Sequence, residues 1–149
     1  MSYEKPFSGL KVLDLSQGFA GPYCAELLCQ YGADVTKVEP PEGDWGRNLG
    51  IVYGDQSTIS MTANRGKKSI TLNLKNPEDL EIAKLLIDSA DVLIENFRPG
   101  VMERLKLGHD AISASNKRLI FCSLPGFASD DPRASLRGWE HALPWLPAL

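Results

Sequence analysis

Residues 11–39 read KVLDLSQGFAGPYCAELLCQYGADVTKVE, in the order strand, tight turn, helix, strand. Val12, Leu13 and Leu15 alternate too little for a half-wet strand and suit a parallel strand buried on both faces. Gln17 to Gly21 make the turn, with small residues that let a ligand approach the backbone. Pro22 is expected at the first helical position, where its fixed φ and missing N–H are tolerated. Cys24, Leu27, Leu28 and Tyr31 fall on one predicted helical stripe, and Gly32 suits a left-handed C-cap. Val35 to Glu39 supplies the second strand. A βαβ unit of this kind is right-handed, and its ligand site is expected outside the carboxyl ends of the strands.

Working outward, PPEGDWGRN after Glu39 is turn-rich and reads as a surface loop near the ligand mouth. Residues 57–64 suggest a short helix, and the basic turn NRGKK leads into a predicted strand over 69–74. The next helix has the fullest set of signals. Asn76 is a good N-cap, Pro77 suits the first position, and Glu78 and Asp79 complement the positive helix end. Leu80, Ala83, Leu86, Ile87 and Ala90 follow at helical spacing. DVLIE (91–95) is a buried strand broken by NFRPG. Short helices are expected over 101–105 and 110–115, then a strand over 118–124. This alternation predicts an α/β fold with a mainly parallel sheet. After Pro125 the pattern fails, and Trp139, Leu143, Trp145 and Leu146 form an apolar group that is costly to leave in water.

With 149 residues, 43% of them hydrophobic, the chain has the size of one ordinary domain. The formal charge of −3 argues against a general nucleic-acid binder. The longest apolar runs are too short to span a bilayer, so a soluble protein without a membrane is expected. Cys24, Cys29 and Cys122 include no CxxC pair, so no metal site is expected, and reduced thiols point to the cytoplasm.

The loops at Gln17–Gly21, Asn96–Gly100 and Gly126–Arg137 should converge on one sheet edge. Lys37, Arg47, Arg65, Lys67, Lys68, Lys75, Arg98 and Arg104 supply cations suited to phosphate oxygens, as a nucleotide or coenzyme would need. A dinucleotide is the competing reading, because Glu39 ends the second strand where a ribose-binding acid falls. Against it, Gly18 and Gly21 do not make GxGxxG. His109 reads as a polar cap at a helix start, His141 adjoins Glu140, and Asp130 and Asp131 read as turn residues before Pro132.

Four stretches, 12–44, 64–78 (NRGKKSITLNLKNPE), 90–108 (ADVLIENFRPGVMERLKLG) and 119–127 (LIFCSLPGF), together resemble the amino-terminal part of the family III CoA transferases. That group holds formyl-CoA transferase, carnitine CoA-transferase and the bile-acid-inducible proteins, and includes α-methylacyl-CoA racemase. The resemblance covers about residues 9–137. It implies a Rossmann-like, mainly parallel sheet with helices on both faces, incomplete relative to the family. Residues 1–137 would be a CoA-binding large-domain segment and 138–149 an apolar tail opening a truncated region.

By the same resemblance, CoA contacts fall on Gln17, Gly18, Phe19 and Ala20, on Leu72 and Lys75, on Asn96, Phe97, Arg98 and Arg104, and on Arg137. Pro40 stands where some relatives have a basic residue. Family transferases use an aspartate carboxylate to attack an acyl-CoA thioester, and an acceptor carboxylate completes the exchange. The corresponding aspartate is expected beyond Leu149. If a carboxylate within this chain is the nucleophile, Glu140 is the candidate. The racemase branch uses a histidine and aspartate pair, and this chain has GWEH where GHD is expected, with His141 displaced. Family members form interlocked dimers, so a homodimer or a carboxyl-terminal partner chain is expected. The functional readings are therefore the amino-terminal segment of an acyl-CoA:carboxylate CoA-transferase, inactive alone; a non-catalytic CoA-binding module or half of a split enzyme; and a racemase segment.

Overall fold

A computed structural model describes residues 5–128 and 130–134. Seven strands and five α-helices follow one another as β1 (Lys11–Asp14), α1 (Ala20–Gln30), β2 (Asp34–Glu39), a 3₁₀ turn (Trp45–Asn48), β3 (Val52–Tyr53), β4 (Gln56–Ser57), α2 (Thr58–Ala63), β5 (Lys68–Thr71), α3 (Pro77–Asp88), β6 (Val92–Glu95), α4 (Val101–Arg104), α5 (His109–Ser115) and β7 (Ile120–Ser123).

Five strands pair in parallel in the order β5-β2-β1-β6-β7. The chain leaves β1 towards one edge through α1 and β2. It then returns through α3 to β6 on the other side of β1. The order of connection thus reverses between β1 and β6, which makes the carboxyl ends of those two strands a topological switch point.

Successive residues of each buried strand point to opposite faces, so each strand feeds two cores. Leu13, Val38 and Leu93 pack with Ala83 and Ile87 of α3, Met102 of α4 and Ile112 of α5. Val12, Val35, Val92 and Ile94 pack on the other face with Ala25 of α1. Helices therefore cover both faces of the sheet, as the continuous apolar reading of 12–15 and 91–95 requires. Among the described residues no helix is long and apolar enough to cross a membrane.

Several local expectations shift. Pro22 is the third residue of α1, not the first, because no backbone donor in the first turn needs an intrahelical partner. The expected stripe is rotated: Gly21, Pro22, Ala25 and Glu26 are buried, whereas Leu27 and Tyr31 are exposed. Gly21 and Ala25 are small enough to let the helix lie close to the sheet. Glu26 is tolerated beneath them because Gln30 Nε2 (2.6 Å) and Arg65 Nη2 (3.2 Å) donate to its Oε1. The predicted strand over 69–74 is displaced to Lys68–Thr71, and that over 118–124 shortens to Ile120–Ser123. The β3–β4 hairpin that follows the expected surface loop was not legible, since two-residue strands carry no period. His109 opens α5 but caps nothing; its ring stands edge-on to Phe121, 5.9 Å between centroids.

Other signals hold. The Asn76 side chain accepts from Glu78 N at 2.8 Å with Pro77 behind it, Gly32 has φ +100°, and Asp131 Oδ1 accepts from Arg133 N at 2.7 Å in its turn. The expected boundary at 137/138, and the apolar tail, lie outside the described residues.

Candidate functional site

The loops after β1 and β6 meet at the switch point and are tied there by one side chain. Asn96 Oδ1 accepts from Gln17 N at 2.9 Å, and Asn96 Nδ2 donates to Gln17 O at 2.7 Å. A single amide thus satisfies both polar groups of one peptide residue across the crevice, fixing the distance between its walls.

The next residue, Gly18, has φ +82° and lies against the Trp45 ring, which a Cβ there would reach at 2.1 Å. Gly18 N donates to Asp44 Oδ1 at 2.7 Å, and the same oxygen accepts from Gly46 N at 2.8 Å. Phe19 follows, exposed and stacked on Tyr23 with 5.3 Å between ring centroids. Ala20 is exposed at the start of α1.

This arrangement disfavours a dinucleotide. In that case the first turn would offer its amides to a pyrophosphate and Glu39 would hold a ribose. Here the Gln17 and Gly18 amides are already committed, and the Asp44 carboxylate occupies the turn. An anion at this turn would be left with the amides at the start of α1. Glu39, for its part, holds Arg47 through two hydrogen bonds of 2.7 Å and accepts from Asp44 N (3.1 Å) and Ser69 Oγ (3.1 Å). Burial alone would raise its pKa, but the Arg47 fork, the Asp44 amide and the Ser69 hydroxyl outweigh burial and hold it at about 2.

Because the folded value is depressed, Glu39 contributes stability above its ordinary 4.5 that is lost as pH falls through about 2. Urea midpoints measured down through that window should fall more steeply for the native chain than for Glu39→Gln. Parallel curves would remove Glu39 from the acid transition.

The cations grouped in the sequence divide into two sets. Lys37 and Lys67 are buried, with Lys67 Nζ 2.7 Å from Asp14 Oδ2 and Lys37 Nζ 2.8 Å from Asp44 Oδ2. Lys37 also donates to Ser16 O at 2.8 Å, and Lys67 to Pro22 O (2.7 Å) and Asn64 Oδ1 (2.9 Å). Arg47, Arg65 and Lys68 pair with Glu39, Glu26 and Asp34. The charges of these five are balanced by carboxylates, within the protein for the Lys37 and Lys67 side chains and at the surface for Arg65 and Lys68.

Lys75, Arg98 and Arg104 form the second set. They are exposed, and their side chains have no ion pair among the described residues. Arg98 follows β6, and Arg104 on α4 folds back over Gly100, where a Cβ would stand 3.2 Å from its Nη1. Lys75 lies beyond β5, at the same sheet edge but two strands from β1. Leu72 is buried in the core, its amide donating to Glu39 O at 2.9 Å, and Phe97 is half-buried against the same core. Arg137, Glu140 and His141 lie outside the described residues. Sequence reasoning passed over Asp44 and Trp45, which shape the first turn, because they sit in a loop with no periodic signal.

An open, mainly parallel α/β sheet with a glycine turn and an asparagine clasp at its switch point defines a Rossmann-like class. The chain belongs to CoA-transferase family III, whose family model matches residues 7–145. Acetyl-CoA:oxalate CoA-transferase of Acetobacter aceti is 45% identical over 136 residues, covering 91% of this chain and 35% of that protein. Succinyl-CoA:glutarate CoA-transferase of Homo sapiens is 37% identical, covering 94% of this chain and 32% of its own length. The crystal structure of an aspartate-to-alanine mutant of Rv3272 from Mycobacterium tuberculosis superposes with a TM-score of 0.83 at 39% identity, over 92% of this chain and 37% of that one. The chain therefore spans about a third of the length of the relatives it matches.

Proposed function

We propose that this chain is the CoA-binding amino-terminal segment of an acyl-CoA:carboxylate CoA-transferase, with the acyl-CoA held at the β1/β6 switch point. The observation that carries this reading is the family match over nearly the whole chain, on a sheet whose crevice is clasped by Asn96 and Gln17. Phe19 and Ala20 would line the mouth of the crevice, and Arg98, Arg104 and Lys75 would supply the mobile cations for the coenzyme phosphates. Arg137 would add a further cation from the tail side.

Transfer needs a carboxylate that attacks the thioester carbonyl, releasing CoA as its thiolate and leaving an acyl anhydride. A carboxylate is a weak nucleophile, so the step depends on a desolvated site and on donors aimed at the developing oxyanion. Three buried carboxylates, Asp14, Asp44 and Glu39, each hold a cation, and attack by any of them would require breaking that pair. The nucleophile is assigned to sequence that follows the matched third of the family, with the reaction completed by a carboxylate acceptor in a homodimer or with a carboxyl-terminal partner chain.

Acyl transfer should be assayed with the chain alone and with a separately produced carboxyl-terminal region of a relative. Transfer only in the mixture supports the proposal. CoA binding without transfer in either case would favour a non-catalytic binding module. Exchange of the substrate α-hydrogen for deuterium without transfer would identify the racemase branch.

A further inference from the structure

The three cysteines take no part in the proposed chemistry, yet all three reach the apolar core beneath α1. Cys122 of β7 is in register with Ile94 of β6, which puts both side chains on the face that α1 covers. Cys24, in the first half of α1, packs on that same cluster of Val12, Val92 and Ile94. The two side chains share that cluster, close enough to influence one another electrostatically, although 98 positions apart in the chain. Both are free and only half-buried, open to a small oxidant. Cys29 is directed elsewhere: five residues further along α1, it faces Gly66, where a Cβ would stand 3.1 Å from its Sγ.

We propose that Cys24 and Cys122 are a redox modification site, closing a reversible disulfide between α1 and β7. A low-molecular-weight disulfide such as glutathione disulfide serves as the oxidant. The Cys24 thiolate attacks one sulfur, forms a mixed disulfide and releases the first glutathione thiolate. The Cys122 thiolate then attacks the Cys24 sulfur and releases the second. Two protein thiols are oxidised, one external disulfide is reduced to two thiols, and the two protons pass to the departing glutathiones. Burial, together with Cys24 and Glu95, pushes the Cys122 thiol up, so the second, intramolecular attack suits it, where proximity compensates for a low thiolate fraction. The bond would pin α1, whose first turn carries Ala20 and Gly21, to β7.

The test exposes the full chain to glutathione disulfide, alkylates it under denaturing conditions and weighs it intact. The alkylatable thiols should fall from three to one, peptide mapping should join the Cys24 and Cys122 peptides, and dithiothreitol should restore all three. Cys29→Ser should keep the cross-link, whereas Cys24→Ser and Cys122→Ser should lose it. Three thiols still alkylatable, glutathione adducts without an internal bond, or a cross-link through Cys29 would each overturn the proposal.

Discussion

Asp14→Ala is expected to destabilise the chain by about 3–5 kcal/mol, the range for removing one partner of a buried ion pair. Asp14 is fully buried, and Lys67 Nζ lies 2.7 Å from its Oδ2. Lys37 Nζ is 4.0 Å from the same oxygen, so removing the carboxylate leaves two buried ammonium groups facing one another with Asp44 alone between them. Ser16 would also lose the acceptor of its amide, at 3.0 Å, and of its hydroxyl. Burial already lowers the Lys67 pKa and Asp14 opposes that shift. In the variant Lys67 should therefore shed its proton more readily, and the stability deficit should shrink as pH rises. Denaturant unfolding at several pH values reads both effects. The paired replacement Asp14→Leu with Lys67→Met should recover much of the loss, because the desolvation of both charges disappears together. A loss below about 1 kcal/mol for Asp14→Ala would show that the pair behaves as a surface ion pair.

Gly18→Ala should cost about 2–4 kcal/mol, combining a left-handed backbone with an overfilled contact. With φ +82°, an alanine at this position is strained whatever the space, and its Cβ would meet Trp45 at 2.1 Å. The ring must move, and with it the 3₁₀ turn whose Gly46 packs against Gly18 O. A double-mutant cycle with Trp45→Ala separates the parts. The contact term should vanish on the smaller background and leave about 1–2 kcal/mol of backbone strain. Additive effects would mean that Trp45 moves aside without cost.

The sheet was legible because buried parallel strands and capped helices announce themselves locally. Val12 to Leu15, Val92 to Ile94, and Asn76 with Pro77 each carried their own evidence. That the loops after β1 and β6 meet was legible, but the pairing of the side chains around them was not. Which lysine faces solvent depends on contacts such as Lys67 with Asp14, 53 residues apart, and no local pattern encodes them. The stripe on α1 misled for a related reason. Gly21 and Ala25 win the sheet contact by being small, whereas hydrophobicity alone favoured Leu27 and Tyr31. The motif order from Val12 to Phe127 outperformed any single residue, since a family constrains spacing even where individual side chains are ambiguous.

Calorimetric titration of the purified chain with CoA, set beside NAD, tests the central claim most directly. The proposed site predicts binding of CoA and none of NAD, with affinity reduced about tenfold or more in Arg104→Ala and in Arg98→Ala, the loss of one charge-assisted contact each. Binding of NAD with no binding of CoA to the folded chain would contradict it.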